Sequence, residues 1–391
     1  MAHEHARQGD CTADWSIAWS GERRWTPLLP DMHATYWYYA VTRVEGDKVG
    51  FELHAQFGHA RYQGFNVYND VTGDLVWGSG SGRRSSFRDE EIEPDEGSQN
   101  PYRLYVPRDT LERDYTLHLV PEGSDTSGYR NCITFPADVT QLSVYLRVYL
   151  PDQHLKGHPH YLSGGVPLPR IRAFDTGDGL PAACPPTRPI PGTGTLPPGP
   201  GANTDGQVHF YRVTAKDYYP NHDNAYLATV FEPIGDNVAL IRVRPPTYTN
   251  TSDPAAPITE VTQVRYWSFN VYSIELSNVT ACLADFEAEV APDGFVYLVL
   301  GRRRPAILDK AEGFNFLPWG LHEKIALVYR HMAPDTDNFK QSAAAVPIYD
   351  SALPREDQAA ERYIGEYAPS GVYCPGIKFV KDFCAPPWEM P

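Results

Sequence analysis

Short hydrophobic segments rich in tyrosine and valine recur along the chain, and turn-forming residues bound each of them. In the first half they are 36-YWYYAVTRV-44, 48-KVGFELHAQF-57, 102-YRLYVP-107, 115-YTLHLV-120 and 142-LSVYLRVYL-150. In the second half they are 226-YLATVFEP-233, 238-VALIRVR-244, 295-FVYLVLGR-302 and 324-KIALVYRHM-332. Such segments are typical of β-strands, and together they predict an all-β protein built of packed antiparallel sheets.

One eight-residue segment occurs twice, as 61-RYQGFNVY-68 and 265-RYWSFNVY-272. Four further pairs follow the same order along the chain: 30-PDMHATYWYYAV-41 with 220-PNHDNAYLATVF-231, 87-FRDEEIEPD-95 with 283-LADFEAEVAPD-293, 131-NCITFP-136 with 315-NFLPWG-320, and 147-RVYLPD-152 with 330-RHMAPD-335. Five matches in one order indicate an internal duplication. We call 61–68 and 265–272 the two repeated segments.

The duplication predicts two tandem, related domains of β-sandwich or jelly-roll type. The N-terminal domain covers residues 1–172, and a Pro/Gly-rich linker covers 173–206. The C-terminal domain covers residues 207–345, and 346–391 form a tail. Within the tail, 354-PREDQAAERYIGEY-367 is the best helix candidate, with Pro in the first turn and acidic residues after it.

The chain is acidic, with 49 Asp and Glu against 34 Lys and Arg and a net charge of −15. No basic patch is visible, which argues against a nucleic-acid partner. No hydrophobic run approaches the ~18–20 residues that would span a bilayer. The composition says nothing about the oligomeric state.

Six cysteines occur in the sequence, and none is part of a C-x-x-C pair, so a structural zinc site is not expected. Cys374 and Cys384 either form a disulfide that closes a small loop, in an oxidising compartment, or remain buried free thiols. The even cysteine count favours a secreted, periplasmic or envelope protein, with a cytoplasmic location as the alternative. The sequence begins with MAHEHARQGDCTADW, which lacks the hydrophobic core of a signal peptide.

Each repeated segment places a tyrosine, a small residue, an asparagine and a second tyrosine on one face of its strand. These residues are Tyr62, Gly64, Asn66 and Tyr68 in the first copy and Tyr266, Ser268, Asn270 and Tyr272 in the second. The opposite face carries Phe and Val, as a core face does. The aromatic and amide face is either the floor of a ligand cleft or a surface covered by a neighbouring layer.

A second candidate precedes the first strand of each half. The second half offers Asn221, His222, Asp223, Asn224 and Tyr226, and the first half offers Asp31, His33, Thr35 and Tyr36. Such side chains have defined donors and acceptors that can position a ligand. Asn and Asp also close turns, so a structural role is the alternative.

Three weaker patterns remain. Asp89, Glu91 and Glu93, matched by Asp285, Glu287 and Glu289, would share one strand face and could hold a cation or act as general acids; a solvated outer face is the alternative. His154, His158 and His160 lie in a Gly/Pro-containing loop and are more typical of an exposed, solvated loop than of a metal site. Arg147 and Arg330 end hydrophobic strands and need a carboxylate, carbonyls or a substrate carboxylate as partner. We therefore predict no metal and no cofactor.

Five motifs carry a resemblance to a known family: 221-NHDNAY-226, 265-RYWSFNVY-272, 294-GFVYLVL-300, 316-FLPW-319 and 330-RHMAP-334. They resemble a bacterial family of two-domain β proteins of unknown function, whose phrases are Asn-x-Asp-Thr-x-Tyr, Phe/Tyr-Trp-Ser-x-x-x-Tyr, Asn-Trp-Leu-Pro and Arg-x-Tyr-x-Pro. The resemblance implies jelly-roll-like domains in an exported or envelope protein, and no established reaction. Asn224 replaces the family's Thr, and Phe316 replaces its Trp.

Three functions fit these patterns. The first is the binding of a small organic molecule or glycan in a Tyr/Asn/Trp-lined cleft, or in the crevice between domains. The second is a cofactor-independent lyase, hydrolase or isomerase, with Asp223 as base, the hydroxyls of Tyr266 and Tyr272 as donors to a developing oxyanion, and His222 as a further candidate. The third is an envelope or assembly protein. The remaining candidate ligand-binding residues are Asn221, Asn224, Tyr226, Trp267, Asn270, Arg330, Tyr36, Tyr62, Asn66 and Tyr68.

Overall fold

The hydrophobic segments form twenty β-strands in the part of the chain that the structure describes. The computed structural model describes residues 10–11, 15–20, 30–78, 81–189, 201–203, 206–214, 219–276, 278–310 and 312–388. The strands of the first half are β1 (Ser16–Trp19), β2 (Ala34–Thr42), β3 (Val49–Gln56), β4 (Ala60–Asn69), β5 (Asp74–Leu75), β6 (Ser86–Arg88), β7 (Asp114–Pro121), β8 (Cys132–Phe135), β9 (Gln141–Pro151) and β10 (Arg170–Asp175).

The second half contains the other ten strands and two short helices. The strands are β11 (Gly206–His209), β12 (Tyr211–Val213), β13 (Asn224–Phe231), β14 (Val238–Val243), β15 (Tyr266–Ser273), β16 (Asn278–Ala284), β17 (Val296–Gly301), β18 (Phe314–Pro318), β19 (Ile325–Met332) and β20 (Ser370–Cys374). The helices are α1 (Glu361–Ile364) and α2 (Gly376–Asp382). No described helix is long and apolar enough to cross a membrane.

Each half consists of two sheets, an inner sheet that faces the other half and an outer sheet on the opposite side of the hydrophobic core. The inner sheets have the orders β1-β2-β9-β4-β5, with β6 also on β4, and β12-β13-β19-β15-β16. The outer sheets have the orders β10-β3-β7-β8 and β11-β20-β14-β17-β18. The two halves thus correspond strand by strand over most of their length, in agreement with the internal duplication, which stays a prediction.

A hydrophobic core lies between the two sheets of each half. Phe65 and Val67 of the first repeated segment pack into one core, and Phe269 and Val271 of the second pack into the other. These are the Phe and Val positions that the sequence pattern assigned to the core face. A third buried cluster, half of whose buried residues are tyrosines, lies between the inner sheets of the two halves.

The structure changes the predicted domain boundaries at two points. Residues 173–175 belong to β10, which pairs with β3, and are not part of a linker. The tail supplies β20, which lies between β11 and β14 in the outer sheet and buries Val372 and Tyr373. The tail therefore belongs to the second half, because its strand completes that sheet.

The predicted helix over 354–367 is largely absent. Only α1 is α-helical, and single 3-10 turns cover Arg355–Gln358 and Gly365–Tyr367. Ala359 has an extended conformation and Gly365 a positive φ of 57°, so the helix is interrupted at both ends. Ala360 and Ile364 are buried in the core, which indicates that packing overrides the local helix propensity.

Two disulfides join described cysteines, Cys11–Cys184 and Cys374–Cys384, and Cys132 and Cys282 are free thiols. The first bond was not predicted. It ties the segment after β10 to the N-terminal region and closes a loop with a sequence separation of 173 residues.

We expect Cys184→Ser to lower the free energy of unfolding by about 2–4 kcal/mol, because the open loop gives the unfolded chain more conformational freedom. Urea unfolding without reductant measures the change. Cys132→Ser is the matched control, since Cys132 is a free, half-buried thiol, and it should change stability by less than about 1 kcal/mol. Equal losses in the two variants would contradict the prediction.

Candidate functional site

The polar and aromatic faces of the two repeated segments meet at the boundary between the halves. Their tyrosine and asparagine side chains are all buried, with at most 1% of each residue exposed: Tyr62, Asn66, Tyr68, Tyr266, Asn270 and Tyr272. The predicted open cleft over this face is therefore wrong, because the opposite half fills the space above each segment. The alternative interpretation, a face covered by a neighbouring layer, describes what the structure shows.

Each half covers the other's repeated segment with a short arm. The first arm is residues 30–33, and the second arm is residues 220–223. Tyr272 donates a hydrogen bond of 2.8 Å to the carbonyl oxygen of Pro30, and Tyr68 donates one of 2.8 Å to the carbonyl oxygen of Pro220. The two arms thus dock in the same manner, each on the segment of the opposite half.

The first arm inserts the carboxylate of Asp31 into the second half. This carboxylate is fully buried and accepts hydrogen bonds from Tyr266 (3.0 Å), Ser268 (2.7 Å) and Asn270 (3.1 Å). The Nε atom of Arg330 lies 3.4 Å from it. Burial acts to raise the pKa of Asp31, but the Arg330 guanidinium and the hydrogen bonds outweigh it and lower this pKa below its ordinary value. The charge is therefore compensated inside the interface.

The second arm places Asp223 against the first half. Tyr62 donates a hydrogen bond of 2.6 Å to its Oδ2 atom, and the Arg88 guanidinium lies 3.8 Å from Oδ1. The Nδ1 atom of His222 lies 3.6 Å from the same oxygen, and the His222 side chain is half-exposed. Hydrogen bonding to Asp223 raises the pKa of His222, against the effect of burial.

Two reciprocal ion pairs also cross the boundary. Arg61 of the first repeated segment pairs with Asp285, and Arg265 of the second pairs with Asp89 at 3.1 Å and with Glu90 at 2.5 Å. Burial raises the pKa of Asp285 to about 6, against the opposing effect of Arg61. Each repeated segment therefore begins with an arginine that binds a carboxylate of the other half.

The acidic ladders predicted from the sequence are wrong. Residues 89–91 form a 3-10 helix and 285–287 form a turn, so their carboxylates do not share a strand face. Only Asp89 and Asp285 point inward, while Glu91, Glu93, Glu287 and Glu289 are partly or fully exposed. Within the described residues, no cluster of three or more His, Cys, Asp or Glu side chains is arranged to hold a metal ion. His154, His158 and His160 lie on an exposed loop.

A cleft of about 590 Å³ opens between the halves beside the Arg265 ion pairs. Residues 88, 90 and 102–104 of the first half form one wall, and residues 249, 258, 260–262, 265 and 333–338 of the second half form the other. Its arginines differ in how firmly they are held. Arg265 is paired at 2.5 and 3.1 Å, and Arg103 is paired with Glu93 at 2.7 Å.

Arg88 is the least committed of the three cleft arginines. Its guanidinium lies 3.6 Å from Glu90, 3.7 Å from Glu91 and 3.8 Å from Asp223. No described residue accepts a hydrogen bond from it within 3.5 Å. Burial acts to lower the pKa of Arg88, but the carboxylates of Asp223, Glu90 and Glu91 outweigh burial and raise this pKa above its ordinary value. The guanidinium therefore stays charged. Arg88 is one of the residues that line the cleft.

The other predicted site residues lie away from the cleft lining. Trp267 is in the core of the second half. Asn221 accepts a hydrogen bond from the Asp223 amide, and Asn224 donates one of 3.5 Å to Tyr149. Tyr36 bonds the Tyr149 hydroxyl at 2.8 Å, and Tyr226 is partly buried in the same cluster. The first arm is bound by four of the predicted residues, namely Tyr266, Asn270, Tyr272 and Arg330.

Sequence reasoning missed most residues of the cleft. They lie on loops at 102–104, 249–262 and 333–338, where no strand pattern applies. One signal was visible: the insertion 245-PPTYTNTSDPAAP-257 has no counterpart in the first half. Arg108 of the first half donates hydrogen bonds to the carbonyl oxygens of Thr251 and Asp253, so this insertion clasps the other half beside the cleft.

Comparison with known proteins finds distant structural similarity only. No family model matches the chain, and no curated protein sequence matches it. An uncharacterised protein from Burkholderia cenocepacia superimposes with a TM-score of 0.47 at 10% identity, covering 82% of this chain and 78% of that one. A protein from Vibrio parahaemolyticus superimposes with a TM-score of 0.43 at 10% identity, covering 80% of this chain and 87% of that one. Both solved proteins are bacterial.

Proposed function

We propose that the protein binds a small, neutral, hydroxyl-rich molecule of the saccharide class in the cleft between its halves. The observation that supports this most directly is the position of Arg88, which lines the cleft and whose guanidinium lies 3.6–3.8 Å from three carboxylates. A pair of neighbouring hydroxyl groups both donates and accepts hydrogen bonds. It can therefore bridge the guanidinium and an adjacent carboxylate at the same time.

The charges of the cleft argue against an anionic ligand. Its lining contains three arginines and four carboxylates, namely Glu90, Glu260, Asp335 and Asp337. Two of the arginines are already in short ion pairs, so a phosphate or carboxylate ligand would have to displace a protein carboxylate. A neutral polar ligand meets donors and acceptors without that cost.

In this proposal the buried tyrosine and asparagine faces hold the two walls in register and do not touch the ligand. We also propose that the protein works outside the cytoplasm. The two disulfides support this location, since such bonds persist in oxidising compartments.

The test is a binding titration with neutral saccharides, uronic acids and amino sugars, after native mass spectrometry of the purified protein for a retained molecule. We expect neutral saccharides to bind and Arg88→Met to weaken the affinity by about 10–100-fold, the usual loss for hydrogen bonds to a charged group. Arg83→Met is the matched control, because Arg83 pairs at 2.5 Å with Glu122 and lies outside the cleft. Binding that Arg88→Met leaves unchanged would overturn the proposal.

A second candidate is acid–base catalysis at the edge of the cleft. The half-exposed His222 beside Asp223 favours it, because a carboxylate at an imidazole can orient the ring and favour its charged form. Here His222 acts as the acid or base and Asp223 positions it, a reversal of the roles expected from sequence. His222→Gln should then abolish turnover of the bound molecule and leave its affinity unchanged. A bound ligand that is never converted would leave binding as the function.

A further inference from the structure

The two arms are built alike but carry their carboxylate at different positions. Asp31 accepts a hydrogen bond of 2.8 Å from the amide of His33, and Asn221 accepts one of 3.1 Å from the amide of Asp223. The carbonyl oxygens of Asp31 and Asn221 likewise each accept from the amide three residues later. Asn221 therefore occupies in the second arm the place that Asp31 occupies in the first. At this position the first arm carries a carboxylate and the second a neutral amide, and the carboxylate of the second arm is Asp223, two residues further on.

In the second half, one carboxylate oxygen of Asp31 binds several polar groups of the repeated segment and of β19. Its Oδ2 atom accepts from Ser268 and from the Nδ2 atom of Asn270, and it lies 3.4 Å from Arg330. One negative charge thus accepts hydrogen bonds from a hydroxyl and an amide and forms an ion pair with a guanidinium. This is the arrangement against which the first half can be compared.

In the first half, the corresponding groups are all donors. The Nδ2 atom of Asn66 and the Nε atom of Arg147 are buried and have no hydrogen-bond partner among the described residues. The Nδ2 atom of Asn221 donates to the sulfur of Met332 at 3.8 Å, a weak acceptor. Gly64 stands where the second half has Ser268. The donors of Asn66 and Arg147 are thus left without the acceptor that Asp31 supplies in the other half.

The charge of Arg147 is likewise uncompensated by the described residues. Its side chain is buried, with 2% of the residue exposed. The described groups that accept its hydrogen bonds are all neutral: the Asn66 amide oxygen, the Tyr68 hydroxyl at 2.7 Å and the Tyr219 carbonyl oxygen at 2.6 Å. Three tyrosine rings within 6 Å soften the charge without neutralising it. A guanidinium does not give up its proton, so burial without a counter-charge is costly.

We propose that a small monovalent anion, chloride or a formate-sized carboxylate, binds at Arg147, Asn66 and Asn221 and takes the place that the Asp31 carboxylate fills in the other half. The anion accepts from the Arg147 Nε and the two asparagine amides and neutralises the guanidinium. It is a structural ligand of the boundary between the halves, separate from the cleft. The site exists because Asn221 supplies no charge of its own.

The experiment measures thermal unfolding while chloride or formate replaces gluconate at constant ionic strength; gluconate is too large for a buried site. We expect Tm to rise with the concentration of the small anion, by about 3–6 °C at a hundredfold excess over Kd. A stronger response to formate would indicate a bidentate carboxylate like that of Asp31, and a stronger response to chloride would indicate a halide site. A Tm that responds to neither anion would overturn the proposal.

Two reciprocal variants separate this site from general salt effects. Asn221→Asp provides the missing carboxylate, so it should raise Tm in gluconate and remove the response to chloride and formate. Asp31→Asn creates the same deficit in the second half, so it should lower Tm in gluconate and enlarge the response. An Asn221→Asp protein that keeps the full anion response would show that the anion acts elsewhere.

Discussion

Replacing Asp31 with alanine is expected to lower the free energy of unfolding by about 3–5 kcal/mol, because it leaves a buried cation without its carboxylate. Three further donors, on Tyr266, Ser268 and Asn270, lose their acceptor in the same step. Urea unfolding followed by tryptophan fluorescence at pH 7 measures this loss. Among the residues that the structure describes, no other single carboxylate of the boundary binds so many buried groups of the opposite half.

The effect of Asp31 should fade in acid. Its pKa in the folded protein is lowered below the ordinary value of 3.8, so its stabilisation is present above about pH 4 and is lost as the pH falls through the folded-state pKa. Asp223→Ala is the matched control in the second arm. Its carboxylate accepts a hydrogen bond from Tyr62, and the side chains of His222 and Arg88 lie 3.6 and 3.8 Å away, so we expect a loss of about 1–2 kcal/mol. A loss as large as that of Asp31→Ala would refute the difference drawn between the arms.

Replacing Arg61 with methionine should cost about 2–4 kcal/mol at pH 7, since it leaves the buried carboxylate of Asp285 without its cation. The double variant Arg61→Met/Asp285→Asn should lose less than the sum of the two single variants, because it leaves no buried charge behind. Urea unfolding of the three variants forms a double-mutant cycle with the wild type. Strict additivity would mean that the pair contributes nothing.

The cost of Arg61→Met also has a defined pH dependence. Burial raises the pKa of Asp285 to about 6 in the wild type, and loss of Arg61 should raise it further. The folded state favours the protonated form of a carboxyl whose folded-state pKa is raised. Stability therefore falls as the pH rises from the unfolded-state pKa to the folded-state pKa and is constant above it. For the wild type this fall ends near pH 6, whereas the stability of the variant continues to fall above pH 6. The deficit should therefore be smallest near pH 5 and grow above pH 6.

Local patterns predicted what depends on local chemistry. The all-β class and the core positions Phe65, Val67, Phe269 and Val271 follow from strand-forming residues and their alternation. The helix at 354–367 did not form as expected, since buried contacts of Ala360 and Ile364 decide its shape. The pairing of Cys11 with Cys184 joins residues far apart in sequence, and no spacing rule reveals such a partner.

The boundary between the halves could not be predicted, because the polar face of each repeated segment could equally bind a ligand or be covered by protein. A strand with Tyr62, Asn66 and Tyr68 on one side suits a ligand or a second protein layer equally well. What decides between them is an arm located some 150 residues further along the chain. Asp89 and Asp285 were misassigned to strands for the same reason: arginines of the opposite half hold them inward. The cleft follows from this packing and has no motif of its own.

Reciprocal covering of the inner sheets has a consequence for the chain while it is being made. The inner strands of the first half are complete at residue 151, but the strands that cover them end at residue 332. At about 5–20 residues per second, the ribosome needs roughly 9–36 s to add the difference. During that time Tyr62, Tyr68, Tyr145 and Tyr149 lie open to other nascent chains on the same messenger. A neighbouring copy carries the same arm, residues 220–223, and can cover the exposed face in place of the chain's own arm. Dense packing of ribosomes on one messenger therefore favours pairing between two chains. Slow initiation or a bound chaperone would raise the yield of correctly folded monomer.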